Sequence, residues 1–146
     1  MKGDLRMKHT LKALAACLML LSLLCMLSAC SGGISRDEAE AHITGFLKQI
    51  KVGYYTAAQA SLHPDRPAPL DVWFTAVAND LNVDWTTLEE QDFTFVSSAA
   101  YDSTVDGATY AMNVTALVSG RRAEMAIELV RNDQGFGIYS LTLDIP

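Results

Sequence analysis

Thiols are the most reactive side chains here, and all three cysteines, Cys17, Cys25 and Cys30, fall within the first 30 residues. A thiol can serve as a nucleophile, a disulfide partner, a metal ligand or a site of acylation. Serine-based acyl transfer would need a Gly-x-Ser-x-Gly elbow, and none occurs. His63-Pro64-Asp65 places two metal-ligating types close together. Past Cys30, however, the histidines are only His42 and His63, too few for the three or four ligands of a zinc site. There is no Walker sequence and no dinucleotide fingerprint. The residue types therefore predict neither a metal nor a cofactor. Asn113-Val114-Thr115 spells a glycosylation sequon but lies within a strand-like alternation. What remains is aromatic: Tyr54, Tyr55, Trp73, Phe74, Trp85, Phe93, Tyr110 and Tyr139 either line a cavity for a small apolar ligand or fill the core. Of these, Tyr54, Trp73, Phe74, Tyr110 and Tyr139 are the candidate ligand-binding set.

The cysteines belong to an N-terminal segment with its own logic. Lys2, Arg6, Lys8 and Lys12 face a single acid, Asp4, and no charge follows until Arg36. A basic start, an apolar stretch and small residues at its end make an export signal. The segment closes on Leu27-Ser28-Ala29-Cys30, which resembles the lipobox of bacterial lipoproteins, read by signal peptidase II. The resemblance implies cleavage before Cys30 and a diacylglyceryl group, with palmitate-type chains, on its sulfur. Cys25 follows two leucines, too bulky for that cut. Cys17 follows Lys12 so closely that cleavage there would leave no apolar stretch to insert. The expected division is a signal peptide over 1–29, a lipidated Cys30 with a short linker over 30–35, and one domain over 36–146. The alternative is an uncleaved span, but Cys30 to Ser35 is only weakly apolar. Either reading exports the domain. Lipid would hold it to the cell membrane, or to the outer membrane in a two-membrane bacterium.

Composition then limits the exported part. Without cysteines past Cys30 it cannot form an internal disulfide, so its core must hold it together. Removing Lys2, Arg6, Lys8 and Lys12 from the 11 basic residues, and Asp4 from the 17 acidic ones, leaves 7 against 16, a balance of −9. Scattered cations on so acidic a domain exclude nucleic acid as a partner. Anionic lipid repels the domain as well, so membrane lipid must be held through the acylated Cys30, where two chains anchor stably.

Periodicity places the elements. Ser35-Arg36-Asp37-Glu38 reads as a capping box, and Ala39, Ile43, Phe46, Leu47, Ile50 and Tyr54 recur at helical spacing, predicting a helix over about 36–52. Thr56 can cap a short helix over 57–62. Three prolines within Pro64–Pro69 forbid regular structure, and Leu70, Trp73, Phe74, Val77 and Leu81 predict a helix over 70–81. From Asp92 the period becomes two. Four strands follow, with turns at Asp106-Gly107, Ser119-Gly120 and Asn132–Gly135, and Tyr139, Leu141, Leu143 and Ile145 facing inward on the last. Helices followed by hairpin-linked strands predict an α+β fold, with helices packed on one face of a curved four-stranded antiparallel sheet.

This order is similar to the cystatin-like, nuclear transport factor 2-like fold. Residues 107–144, GATYAMNVTALVSGRRAEMAIELVRNDQGFGIYSLTLD, resemble the ending of small lipoprotein domains of that group, with Phe136 and Tyr139 near the place where a Trp often stands. Enzymes on this fold, such as ketosteroid isomerases and dehydratases, hold an Asp, His or Tyr inside the cone of the sheet. The resemblance offers His42, Tyr54, Asp92, Tyr110 and Tyr139 for that role. Two functions follow as expectations. The preferred one is a non-enzymatic, membrane-tethered binding module for an envelope protein or a small apolar ligand. The alternative is an isomerase- or dehydratase-like enzyme.

Overall fold

The computed structural model describes residues 32–146, so the signal segment, the lipobox and Cys30 lie outside the described residues. Helix α1 spans Arg36–Lys51 and starts where Ser35 accepts the Glu38 amide at 3.3 Å. The other half of the expected capping box does not form. The Glu38 carboxylate pairs with Arg131 on a distant strand, a charge-assisted bond stronger than a reach back to a neutral amide. Arg131 also donates to the Gly33 carbonyl at 3.2 Å and lies 4.6 Å over the Phe136 ring. Ile34, just ahead of the helix, is 7% exposed and belongs to the core. The folded unit therefore begins at Gly33, inside the expected 30–35 linker.

Ala39, Ile43, Phe46, Leu47 and Ile50 form the buried stripe of α1. Tyr54 does not extend it, because Gly53 turns the chain with φ +73° and leaves Tyr54 67% exposed. Helix α2, Tyr55–Gln59, starts two residues before the expected position and stops earlier. It cannot continue because the chain beyond it is pulled flat against a strand. There the Ile138 amide donates to Ser61 at 2.9 Å, and the His63 amide donates to Ile138 at 2.8 Å. Helix α3, Leu70–Leu81, lies where its spacing predicts and ends at Asn82 in the left-handed region. A 3₁₀ turn, Trp85–Thr87, follows. Asp84 caps it by accepting the hydroxyl and amide of Thr86, and these bonds hold its carboxyl below the usual carboxylate range.

Four strands complete the α+β fold as a meander: β1 Glu89–Asp102, β2 Gly107–Val118, β3 Arg121–Asn132 and β4 Gly135–Asp144, all antiparallel and adjacent in chain order. Strand β1 begins three residues before the expected Asp92, because Glu89 and Glu90 pair with Leu117 and Ala116. Charged residues at a sheet edge leave no apolar period to read. The β2–β3 turn places Ser119 at φ +53° and Gly120 at φ +73°, a two-residue hairpin of right-handed twist. Tyr110, Met112, Val114 and Ala116 of β2 and Ala123, Met125, Ile127 and Leu129 of β3 are buried on the inner face. Asn113, Glu124, Ala126 and Thr142 are exposed on the outer one. One-sided burial thus holds along most of the central strands, and gives way at one end, where the outer-face pair Thr109 and Val130 is buried too.

The last strand departs from strict alternation. Glu128 pairs with Ser140 but the next residue, Leu129, pairs with Ile138, so Tyr139 is an extra residue in a bulge. The bulge brings Phe136 and Ile138 onto the inner face ahead of it and Leu141 and Leu143 after it. Ile138 is buried, whereas Tyr139, Leu141 and Leu143 are half-buried. Behind them, Phe74 gathers Phe46, Tyr55, Trp73 and Trp85 at ring separations of 4.6 to 6.2 Å, and the Trp85 indole donates to the Phe74 carbonyl at 2.9 Å.

Candidate functional site

The site grows from the segment that leaves α2. Gly137 has no room for a side chain: a Cβ there would sit 2.6 Å from backbone atoms of both Leu62 and His63. That close approach lets Leu62 form a parallel bridge with Ile138 across the β4 edge. His63 follows, fully buried. Its Nδ1 accepts the Asp65 amide at 3.2 Å, so Nε2 carries the proton and donates to Asn132 Oδ1 at 3.0 Å. Asn132 Oδ1 also accepts the amides of Gln134 and Gly135, and its Nδ2 donates to the Val105 carbonyl at 2.9 Å. One asparagine thus ties the proline-rich loop to two hairpin turns.

With the loop fixed, its outward part bounds a cleft. An open cavity of about 240 Å³ lies between the loop, the first turn of α3 and β4. Its walls are apolar, chiefly Leu62, Leu70, Trp73, Ile138 and Leu141, and Arg66 and Tyr139 stand at the polar side. The Arg66 guanidinium lies 4.4 Å from the Tyr139 ring centre, and its Nη2 donates to the Tyr139 hydroxyl at 3.1 Å. Stacking and the hydrogen bond together hold both side chains in place.

The five aromatic candidates part company here. Trp73 and Tyr139 meet in this cavity. Phe74, 1% exposed, is core and reaches no open space, and Tyr110, 5% exposed, packs edge-on against Phe95 at 5.5 Å. Tyr54 lines a separate, wider depression of about 640 Å³ shared with Gly53, Thr56 and Asp71. The smaller cavity is the better ligand site despite its size, since it joins apolar walls to a few convergent polar groups. Arg66 itself was invisible to sequence reasoning, which saw one more scattered cation. Its setting depends on the loop returning to β4, and Gly137 is the only local trace of that.

The groups required for isomerase chemistry are elsewhere. Asp92 is exposed on the outer-face register of β1, opposite Thr115. The Nε2 of His42 lies 2.8 Å from the Ser61 carbonyl and must donate to it, and its ring packs 4.7 Å from Phe136. His63 has both nitrogens bonded within the protein. Phe46, Phe74, Met112 and Ile127 fill the space between the helices and the sheet. Among the described residues, the inner-face carboxylate that borders a depression is Glu90, and it accepts from Thr44 at 3.1 Å beside Lys48 and Lys51 at the rim, away from the aromatic candidates. Among the described residues no three metal-ligating side chains cluster, and no helix is long and apolar enough to cross a membrane.

Compared with known proteins, the chain matches no family model and no curated relative. Among solved structures it is similar to an Ntf2-like, potential transfer protein TraM from the Gram-positive conjugative plasmid pIP501. The two share 11% identity with a TM-score of 0.45, over 74% of this chain and 90% of that one.

Proposed function

We propose that this protein is an exported lipoprotein, acylated on Cys30, whose folded domain binds a small apolar molecule in the cleft between α3 and β4. The observation that carries the binding reading is the cleft: Trp73, Leu70, Ile138 and Leu141 offer apolar wall that water covers at a cost, and a ligand relieves it. A protein partner on the open face of the sheet would need an apolar surface there. That face instead presents Thr94, Asn113, Glu124 and Thr142, which favours the small ligand. The lipid reading is supported by Leu27-Ser28-Ala29-Cys30.

Two measurements test the halves separately. Intact mass of the detergent-extracted protein is expected to show Cys30 as first residue with a diacylglyceryl group. Cys30→Ser protein should keep residues 1–29 and lose the acyl mass. A wild-type chain carrying residues 1–29 and no fatty acid would end the lipoprotein reading. For the cleft, the neutral fluorophore N-phenylnaphthylamine should bind saturably, and Trp73→Ala should weaken that binding at least tenfold. Equal binding by wild type and Trp73→Ala would remove the cleft as the site.

A further inference from the structure

We infer that the ligand of this cleft is an anionic amphiphile: a carboxylate or similar small anion set against Arg66, with an apolar body along Trp73. The inference rests on the cleft being a ligand site, and it names the chemistry such a ligand must have.

Three observations carry it. First, Arg66 has no carboxylate partner among the described residues, unlike Arg36, Arg122 and Arg131, each paired with a glutamate. The adjacent Asp65 does not supply one: its carboxylate lies 3.6 Å from His63 Nδ1. Second, the guanidinium is held. It stacks on Tyr139 and spends one donor on the hydroxyl, which leaves further N–H groups of a planar fork to bind an anion bidentately. A cation already ordered loses little entropy on binding. Third, Pro69 and Leu70 of the first turn of α3 line the same cleft, and no side chain caps that turn. The positive end of the helix adds to the field that favours negative charge there, and Asp71 in the same turn offsets part of it. Arg66 and the apolar wall line the same cleft, so one molecule can reach both. A volume of about 240 Å³ is enough for a short chain.

The test uses the full-length protein with phosphatidylcholine nanodiscs and two probes differing only in their head: bromooctanoate and bromooctanol. Bromine quenches indole fluorescence on contact. Trp73 is half-buried in the cleft wall, whereas Trp85 is buried behind Phe74, so saturable quenching reports the site. The acid is expected to bind about tenfold tighter than the alcohol, the worth of one charge-assisted hydrogen bond. Arg66→Gln should weaken the acid far more than the alcohol and so erase the acid's advantage, and Arg66→Lys should keep part of it. Equal affinities in the wild type, or an acid preference that survives Arg66→Gln, would overturn the proposal while leaving an apolar site standing. Failure of either probe to quench Trp73 would remove the site itself. Replacing phosphatidylcholine with phosphatidylglycerol separates the sources of the anion. Loss of the acid's advantage in wild type would place a lipid head group on Arg66, and its retention would place a free amphiphile there.

Discussion

The two edges of this sheet are finished in opposite ways. At β4 the edge is covered: Ser61–His63 bonds to both backbone groups of Ile138, and a buried histidine fastens the crossing segment to Asn132. At β1 the edge is open. All 14 residues of that strand are exposed or half-buried, Phe95, Val96 and Tyr101 among them, and register shifts interrupt its pairing three times. From the helices, Arg36 donates to the Phe93 carbonyl at 3.2 Å and Thr44 to the Glu90 carboxylate at 3.1 Å, and neither contact covers the strand. The cleft lies at the closed edge. A binding site needs walls that do not move, and the chain concentrates its unusual contacts where those walls are built. At the open edge the bulges and solvent-facing side chains discourage further pairing without the help of a covering segment.

Substitutions at the two edges should therefore differ steeply in cost. Gly137→Ala should have the largest effect, since its methyl would collide with backbone rather than with a side chain that can swing away. We expect about 3 kcal/mol lost in urea unfolding and loss of probe binding in the cleft. An alanine protein of wild-type stability would show that the crossing segment is loosely held. Asn132→Ala should cost about 2 kcal/mol, as the buried His63 Nε2 proton and the turn amides of Gln134 and Gly135 lose their acceptor. Amide exchange should quicken in residues 61–66 while β1 stays as it was. Val96→Lys at the open edge should lie within about 0.5 kcal/mol of wild type. If the edge pairs between molecules at all, light scattering should show less self-association in the lysine variant.

The smallest effect is a pH response confined to β1. Tyr101 donates to Asp106 at 2.7 Å across the β1–β2 turn, and losing that proton would set two anions side by side, so the phenol's pKa is raised. A group raised in the folded state stabilises fully below its unfolded value, near 10 for a tyrosine. The contribution fades as pH climbs through the higher folded value. Asp106→Asn should return the ultraviolet titration of Tyr101 toward the ordinary phenol range, with little change in stability at neutral pH.

Much of the architecture was legible because periodicity speaks for buried faces. The stripe of α1, the spacing of α3 and the alternation in β2 and β3 each project one apolar face, and each lies where expected. Legibility failed where backbone contacts rule. The shift in α2 comes from Ser61 and Leu62 being drawn to β4, and no side-chain pattern encodes that. The Tyr139 bulge moved the inward set of the last strand by one residue, from Tyr139 to Ile138, while Leu141 and Leu143 kept their face. The early start of β1 hides in two glutamates. For the site, Trp73 and Tyr139 were named as aromatics, which says nothing of which aromatics meet. Arg66 needed the tertiary turn of a proline-rich loop to acquire meaning.

Arg131 grips the chain at Gly33 while Ile34 is sunk in the core. Were acyl chains attached at Cys30, three residue steps, roughly 10 Å at full stretch, would be all the slack available. That is a stub, not a leash. The domain could spin above the lipid but not roam from it, and whatever it binds would have to arrive within one protein diameter of the bilayer.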